Sequence, residues 1–202
     1  MNEVNNKQVY ELYDEITNWF DSNRNKGLME REYLEILINK IPEKGKILDL
    51  GCGSGEPIAK FLIKKEFKLC GVDGSKNMIE LCRQRFPNHK WLVADMRVLD
   101  LKEKFDAIIA WDSFFHLTQD EQQHMFNIFR NHINTNGILL FTSGTDNGEV
   151  VSKMNGRDIY HSSLSTNEYR ALLKEYDFEE ILYRSSDPNC GGHTVWLTKS
   201  IK

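Results

Sequence analysis

Apolar residues near the start of the chain recur at helical spacing. The pattern i, i+3, i+4, i+7, i+11 is filled by Val9, Leu12, Tyr13, Ile16 and Phe20. This pattern predicts one amphipathic helix. A second apolar stripe occupies positions 34–41 and ends before Pro42, which disfavours helical geometry in the residue that precedes it. The N-terminal region therefore predicts two helices.

Short apolar runs then alternate with helical stripes. The runs lie at 47–50, 69–72, 91–94, 105–111 and 138–142. Helix starts are predicted at first-turn or capping residues, namely Pro57, Ser75, Thr118 with Glu121, and Ser165 with Glu168. Strands that alternate with helices form a parallel sheet covered on both faces. The sequence predicts a Rossmann-like, doubly wound α/β fold.

The C-terminal part of the chain breaks this alternation. Two late strands, about 178–184 and 194–198, are joined by a connector too short for a helical crossover, so we expect them to be antiparallel. Asn136-Gly137 is predicted to turn into the strand at 138–142. The stretch 143–164 contains no predicted element and is expected to be a long connection at the carboxyl edge of the sheet.

Composition sets the class of protein. The chain has 202 residues, of which 40% are hydrophobic and 28% charged, with a net charge of −4. One domain over 1–202 is expected, with a helical cap at 1–42 before an α/β core at 43–202. The absence of a basic excess argues against general nucleic-acid binding. No apolar run approaches a membrane span or a secretory signal, and the four separated cysteines suit reduced thiols, so a cytoplasmic protein is expected.

The end of the first predicted strand carries a glycine-rich loop. It reads Asp49-Leu50-Gly51-Cys52-Gly53-Ser54-Gly55 and opens the next helix. Glycines there let the chain turn sharply and let a ligand approach the backbone. A dinucleotide-binding GxGxxG motif would need a third glycine at position 56, where this chain has Glu56. Its carboxylate would repel a pyrophosphate, so the loop favours a ligand without phosphate.

Acidic residues also end the next two predicted strands. Asp73 follows the second strand and is placed to accept both hydroxyl hydrogens of a ribose. Asp95 follows the third strand, where it could accept from an adenine amino group while the Met96 amide meets a ring nitrogen. An unspecialised α/β protein could instead use these acids as helix caps and the loop as a tight turn.

Taken together, the motifs resemble those of the class I S-adenosylmethionine (SAM)-dependent methyltransferases. The resemblance rests on 49–55, on Val72-Asp73-Gly74-Ser75 with Met78, and on Ala94-Asp95-Met96. It implies a seven-stranded sheet whose last strand is antiparallel, SAM as the cofactor and S-adenosylhomocysteine as the product. The residues expected to bind the cofactor are Tyr13, Arg24, Asp49, Gly51, Gly53, Gly55, Asp73, Gly74, Met78, Asp95, Met96 and Trp111.

In similar methyltransferases an N-terminal helical segment lies over the cofactor, with a tyrosine near its carboxylate. Tyr13 and Arg24 are our candidates for this role. Tyr13 also belongs to the apolar stripe, so plain core packing is an equal alternative, and Arg24 could be solvated.

Three predicted connections reach the side of the sheet where a methyl acceptor would bind. They carry the candidate general bases His116, His161 and His193, since an ordinary histidine pKa suits proton transfer near neutral pH. Tyr160, Asn189 and Cys190 could converge with them. No paired ligand motif accompanies these residues, so no metal is predicted.

The acceptor is expected to be a small molecule, with no nucleic acid and no membrane involved. Amino-methylating DNA enzymes of this fold carry an Asn/Asp-Pro-Pro-aromatic motif, whereas positions 112–115 read Asp-Ser-Phe-Phe. The methylated atom and the choice between a monomer and a homodimer stay open. A non-catalytic SAM-binding protein is the first alternative, and a nicotinamide-dependent oxidoreductase is the second, disfavoured by Glu56.

Overall fold

The computed structural model describes residues 9–202, so the first eight positions of the predicted cap lie outside the described part. Its helices are α1 (Val9–Glu15), α2 (Thr17–Asn23), α3 (Arg31–Ile38), α4 (Ile58–Lys64), α5 (Lys76–Arg85), α6 (Gln119–His132) and α7 (Thr166–Glu175). Its strands are β1 (Lys46–Leu50), β2 (Lys68–Asp73), β3 (Lys90–Val93), β4 (Phe105–Ala110), β5 (Ile133–Ser143), β6 (Gly148–Met154), β7 (Arg157–Ser163), β8 (Phe178–Asp187) and β9 (His193–Ser200).

Seven of these strands form one twisted sheet in the order β3-β2-β1-β4-β5-β9-β8. All neighbours from β3 to β5 are parallel, and the last strand, β9, runs antiparallel between β5 and β8. The predicted fold class, including the antiparallel last strand, is confirmed. The chain winds outward from β1 in both directions, and an open α/β sheet binds its ligands at the carboxyl ends of the strands beside such a reversal.

The two faces of the sheet bury separate apolar clusters. Successive residues of a strand point to opposite faces. Accordingly Ile47 packs in the cluster of α3, α4 and α5, whereas Leu48 packs in the cluster of α6 and α7. Both side chains are fully buried, as a strand covered on both faces requires. No helix within residues 9–202 combines the length and apolarity needed to cross a membrane.

Both predicted capping boxes are present. The Thr118 side chain accepts from the Glu121 amide and the Glu121 side chain accepts from the Thr118 amide, which starts α6. Ser165 and Glu168 do the same at the start of α7. These pairs satisfy amides that have no intrahelical partner.

The N-terminal stripe differs from its prediction. The chain breaks between α1 and α2 at Ile16, whose φ and ψ are −97° and 12°. The Thr17 hydroxyl donates to the carbonyls of Tyr13 and Asp14, at 2.8 and 3.0 Å. Such side-chain bonds compete with regular helical hydrogen bonding. One predicted helix is therefore two short helices that keep the same buried face.

The expected long connection at 143–164 is wrong. Strands β6 and β7 form a separate antiparallel hairpin there, closed by Asn155-Gly156 with both residues at positive φ. An Asn-Gly pair between two extended runs is a strong hairpin signal. Strand β5 also starts earlier than predicted, at Ile133, and passes through Asn136 at a φ of 65°.

Candidate active site

A cavity of about 1000 Å³, measured with its open mouth, lies at the carboxyl ends of β1, β2, β3 and β4. Most of the residues predicted to bind a cofactor line it, namely Tyr13, Arg24, Asp49, Gly51, Gly53, Asp73, Gly74, Met78, Asp95, Met96 and Trp111. The predicted base His116 lines it as well. The structure thus brings together side chains from the N-terminal helices and from four strand ends.

The glycine loop shapes the floor of this cavity. Gly51 has a φ of +75°, and a Cβ there would lie 2.2 Å from the Cβ of Ser113, so no side chain fits. Gly53 has a φ of +52°, and a Cβ there would meet nothing nearer than Phe20 at 3.8 Å. Its bare backbone therefore faces the cavity. Gly55 lies behind the loop against Phe86 and does not line the cavity.

The Asp73 carboxylate joins the glycine loop to the start of α5. Its Oδ2 accepts from the Gly53 amide at 2.9 Å and its Oδ1 accepts from the Ser75 amide at 2.8 Å. Burial raises the pKa of Asp73, while the two amide hydrogen bonds oppose that rise. Each oxygen retains a further lone pair, so the carboxylate can still accept two hydroxyl hydrogens.

The Asp49 carboxyl lies at the base of the cavity and is 3% exposed. Burial raises its pKa to about 7, with Arg24 opposing the rise. A carboxyl group with this pKa changes its charge easily near neutral pH. A cation placed beside it would favour the carboxylate form.

Asp95 is held by a residue that sequence reasoning missed. The Arg97 guanidinium contacts both carboxylate oxygens of Asp95 at 2.6–2.9 Å and also donates to Glu121 at 2.8 Å. Burial acts against the charged form of Asp95, but its hydrogen bonds with Arg97 prevail and lower its pKa. The Asp-x-Arg spacing after a strand was the available signal. The ion pair fixes Asp95 at the cavity rim beside Met96.

Two polar anchors hold the N-terminal helices over the sheet edge. Asp14 accepts from the Ser75 hydroxyl and from the Asn77 amide, both at 2.7 Å, at the start of α5. A carboxylate is favoured there by the orphan amides and the helix dipole. Asp21 and Arg85 form a bidentate pair at 2.6 and 2.7 Å, which lowers the pKa of Asp21. These contacts hold α1 against the sheet edge, where its Tyr13 lines the cavity.

Tyr13 ends a chain of hydrogen bonds whose direction can be assigned. His116 Nδ1 lies 2.9 Å from the Tyr160 carbonyl, which can only accept, so Nδ1 carries the proton. Burial lowers the pKa of His116 to about 4, and the ring is neutral. Its Nε2 is therefore an acceptor, and it accepts a hydrogen bond from the Tyr13 hydroxyl at 3.0 Å. The Tyr13 oxygen is left with lone pairs and no proton to offer the cavity.

His193 stands beside the cavity wall in a different state. Its Nε2 lies 2.8 Å from Asp112 Oδ1 and its Nδ1 lies 2.6 Å from the Cys190 carbonyl. The Asp112 carboxylate raises the pKa of His193, which favours the protonated ring. Arg24 approaches Asp112 from the other side at 3.7 Å, and the Trp111 ring stacks on His193. Asp112 therefore joins the N-terminal segment to the end of β4 and to the β8–β9 turn.

His161 lines a neighbouring cavity between Phe115 and the β6–β7 hairpin instead. Its ring centroid lies 4.8 Å from that of His116, which lines the first cavity. Burial lowers the pKa of His161. Phe114 is fully buried core. Within the described residues, no three His, Cys, Asp or Glu side chains converge as a metal site.

The residues present suit SAM. A buried carboxylate that bridges two backbone amides can accept from a ribose, and a side-chain-free glycine faces the space. Several acidic side chains line the cavity, which suits a cationic ligand. Glu56, the residue that disfavours a pyrophosphate, lines the same cavity and is paired with Lys26 at 2.9 Å and Lys60 at 2.6 Å.

Comparisons with known proteins also indicate a methyltransferase. A family model described as a methyltransferase domain matches residues 47–137. The putative methyltransferase YqeM of Bacillus subtilis is 32% identical over 135 residues, which cover 64% of this chain and 47% of the relative. These matches, together with the fold, support a class I SAM-dependent methyltransferase.

A second methyltransferase relative matches more of the chain. The dTDP-3-amino-3,4,6-trideoxy-alpha-D-glucopyranose N,N-dimethyltransferase of Streptomyces venezuelae is 26% identical over 190 residues, 88% of this chain and 77% of the relative. SAM-bound CalS10, an amino pentose methyltransferase from Micromonospora echinaspora, superposes with a TM-score of 0.69 over 96% of this chain and 97% of that chain. At 17% identity this likeness shows the shared methyltransferase fold.

Proposed function

We propose that this methyltransferase transfers the methyl group of SAM to a nitrogen atom of a small molecule in the cytoplasm. The observation that carries the proposal is the Tyr13 oxygen of the cavity lining, whose hydroxyl donates its hydrogen bond to His116 Nε2 across 3.0 Å. An oxygen that can only accept suits a methyl acceptor that bears an N–H or an O–H, and the relatives named for amino-sugar methylation favour the N–H. An ether, thioether or carboxylate acceptor would present no hydrogen to it.

The reaction requires little from the protein beyond orienting the acceptor atom and the methyl group. SAM supplies an activated methyl group on a positively charged sulfur. An amine that donates one N–H to Tyr13 directs its lone pair away from that bond, and holding the reacting atoms in line supplies much of the rate. The nitrogen becomes an ammonium as its new carbon bond forms. Its extra proton then passes to solvent.

Two of the three predicted bases, His116 and His193, are poorly suited to proton abstraction. A pKa of about 4 makes His116 a weak base, and Asp112 favours the protonated form of His193 by raising its pKa. We therefore assign His116 the role of positioning Tyr13, and His193 that of holding Asp112 at the cavity wall. His161 stays a candidate for contact with the acceptor, because its ring borders that of His116.

For the cofactor, we propose a role for most of the residues predicted to bind it. Asp73 accepts from the ribose, while Asp95 and the Met96 amide meet the adenine, against which Met78 packs. Gly51, Gly53 and Gly55 shape the loop beneath the methionine part, Asp49 and Trp111 border it, and Arg24 faces its carboxylate. The single domain over 1–202, with 1–42 as a cap, is part of the same proposal.

The relatives support a small nitrogen-bearing acceptor. The Streptomyces enzyme is named for N,N-dimethylation of an amino sugar, and CalS10 for methylation of an amino pentose. Both acceptors carry an amino group on a sugar ring. The net charge of −4 also disfavours a polyanionic acceptor such as RNA.

The test is methyl transfer from labelled SAM to a panel of amino sugars, simple amines, phenols, thiols and bulk RNA. We expect transfer to amines, lost at least tenfold in Tyr13→Phe and kept in the matched control Tyr10→Phe, which also lines the cavity. Transfer to phenols or RNA alone would contradict the proposal. Tight SAM binding without transfer to any acceptor would favour the non-catalytic alternative.

A further inference from the structure

Strand β6 is the outer strand of the β6–β7 hairpin and has no neighbour on its far side among residues 9–202. Six of its seven residues are exposed and the seventh is intermediate. Val150 and Val151 are 59% and 47% exposed, unusual values for adjacent branched apolar residues. An unpaired strand edge of this kind is a template for another strand.

The hairpin geometry fixes which backbone groups this edge offers. The turn Asn155-Gly156 has two residues, so the flanking Met154 and Arg157 form a hydrogen-bonded pair. Antiparallel strands alternate hydrogen-bonded with non-hydrogen-bonded pairs. Even-numbered residues of β6 therefore bond to β7, and the N–H and C=O groups of Glu149, Val151 and Lys153 point outward.

Two antiparallel copies of this strand place complementary outward residues opposite each other. Pairing about a two-fold axis at Val151 sets Val151 opposite its own copy and Glu149 opposite Lys153. Each of the three pairs is then of the hydrogen-bonded type, which gives roughly six backbone hydrogen bonds, two for each pair. A two-fold axis at Val150 would set Glu149 opposite Val151, and one at Ser152 would set Val151 opposite Lys153, so neither would pair the two charged residues. Of these three registers, only the one centred on Val151 sets Glu149 opposite Lys153.

We propose that β6 pairs with β6 of a second copy of this chain, so that two hairpins form one four-stranded antiparallel sheet across a two-fold axis. Lys153, which contacts Asp158 of its own hairpin, then lies between that residue and the partner's Glu149. Val151 is covered by the partner's Val151. Opposite charges and apolar pairs on one sheet face are stabilising.

The pairing also bears on the active site. Strand β7 supplies the Tyr160 carbonyl that orients His116, and His161 borders that ring. A hairpin braced by a second copy therefore holds the acceptor wall in place. The pairing itself does not depend on the proposed reaction.

Sedimentation equilibrium of the folded chain, with charge reversals, tests the proposal. The native protein should approach twice 23.6 kDa, about 47 kDa. Glu149→Lys alone and Lys153→Glu alone should each raise the dissociation constant at least tenfold. An equimolar mixture of these two variants should dimerise again, because both cross-strand charge pairs are restored in the heterodimer. The double variant should also dimerise.

A backbone variant separates strand pairing from a purely ionic contact. Val151→Pro removes an outward N–H that bonds nothing within the hairpin, so the monomer should stay folded by circular dichroism but lose the dimer. Val151→Thr, the matched control, should keep it. A native monomer at every concentration, a dimer unaffected by Val151→Pro, or no rescue in the mixture would each overturn the proposal. Failure of methyl transfer alone would leave it standing.

Discussion

Replacing Asp73 by alanine removes the group expected to bind the ribose. The carboxylate has one lone pair left on each oxygen after it accepts from Gly53 and Ser75. A hydrogen bond to a charged group contributes about 1.5–3 kcal/mol. One lost ribose bond at the lower limit weakens binding about tenfold, since about 1.4 kcal/mol corresponds to tenfold. Loss of both gives roughly a hundredfold or more.

The assay is isothermal calorimetry with S-adenosylhomocysteine, which binds without reacting. The matched control is Asp106→Ala, because Asp106 accepts from the Lys46 amide at 2.8 Å at the opposite edge of the sheet. Both variants lose a carboxylate that holds the backbone, so both should lower the melting temperature, by roughly 2–6 °C for a chain of this size. Only Asp73→Ala should weaken binding.

A distorted glycine loop could also weaken binding, so the ligand is varied as well. The loss caused by Asp73→Ala should be much smaller for an analogue that lacks the ribose hydroxyls. Equal losses for both ligands would assign the effect to the loop. Affinity within twofold of the native value in Asp73→Ala would refute the ribose role.

Three further predictions follow from the same contacts. His116→Ala should lower kcat as much as Tyr13→Phe, and the double variant should be no slower than either single one, because the pair acts as a unit; additive losses in kcat would contradict this. Affinity for SAM should fall as pH drops from 8 to 6, because Asp49, with a pKa of about 7, loses its charge. In calorimetry, Asp49→Asn should flatten this dependence of affinity on pH. An unchanged dependence in the variant would exclude Asp49 as its cause. Thr118→Ala should destabilise the protein by about 1 kcal/mol through its lost cap, measured by urea unfolding against the exposed control Thr145→Ala; equal stability of the two would contradict the capping role.

The fold could be predicted because its signals are local. Buried strands leave apolar runs, and capping residues such as Thr118 and Ser165 mark the helix starts that follow. The acids at strand ends could be placed on one edge because parallel strands end together. The Asn155-Gly156 hairpin carried a local signal too, but its outer strand is exposed and lacks the apolar alternation that marks a buried strand.

The hydrogen-bonded state of the site could not be predicted in this way. Whether His116 donates or accepts depends on the Tyr160 carbonyl, which lies on a strand 44 residues away. The charge of His193 depends likewise on Asp112, from another strand end. Residue type alone suggested three histidines as candidate general bases, whereas tertiary contacts place them in three different environments. Such contacts between distant segments leave no periodic trace in the sequence.

Calorimetry of the native protein with SAM, S-adenosylhomocysteine and NADH tests most directly whether the cavity is a SAM site. The cavity geometry predicts micromolar binding of both adenosyl ligands, at one site per chain, and no binding of NADH. Binding of NADH in place of the adenosyl ligands would contradict the roles assigned to the glycine loop and to Asp73. It would favour a nicotinamide-dependent oxidoreductase instead.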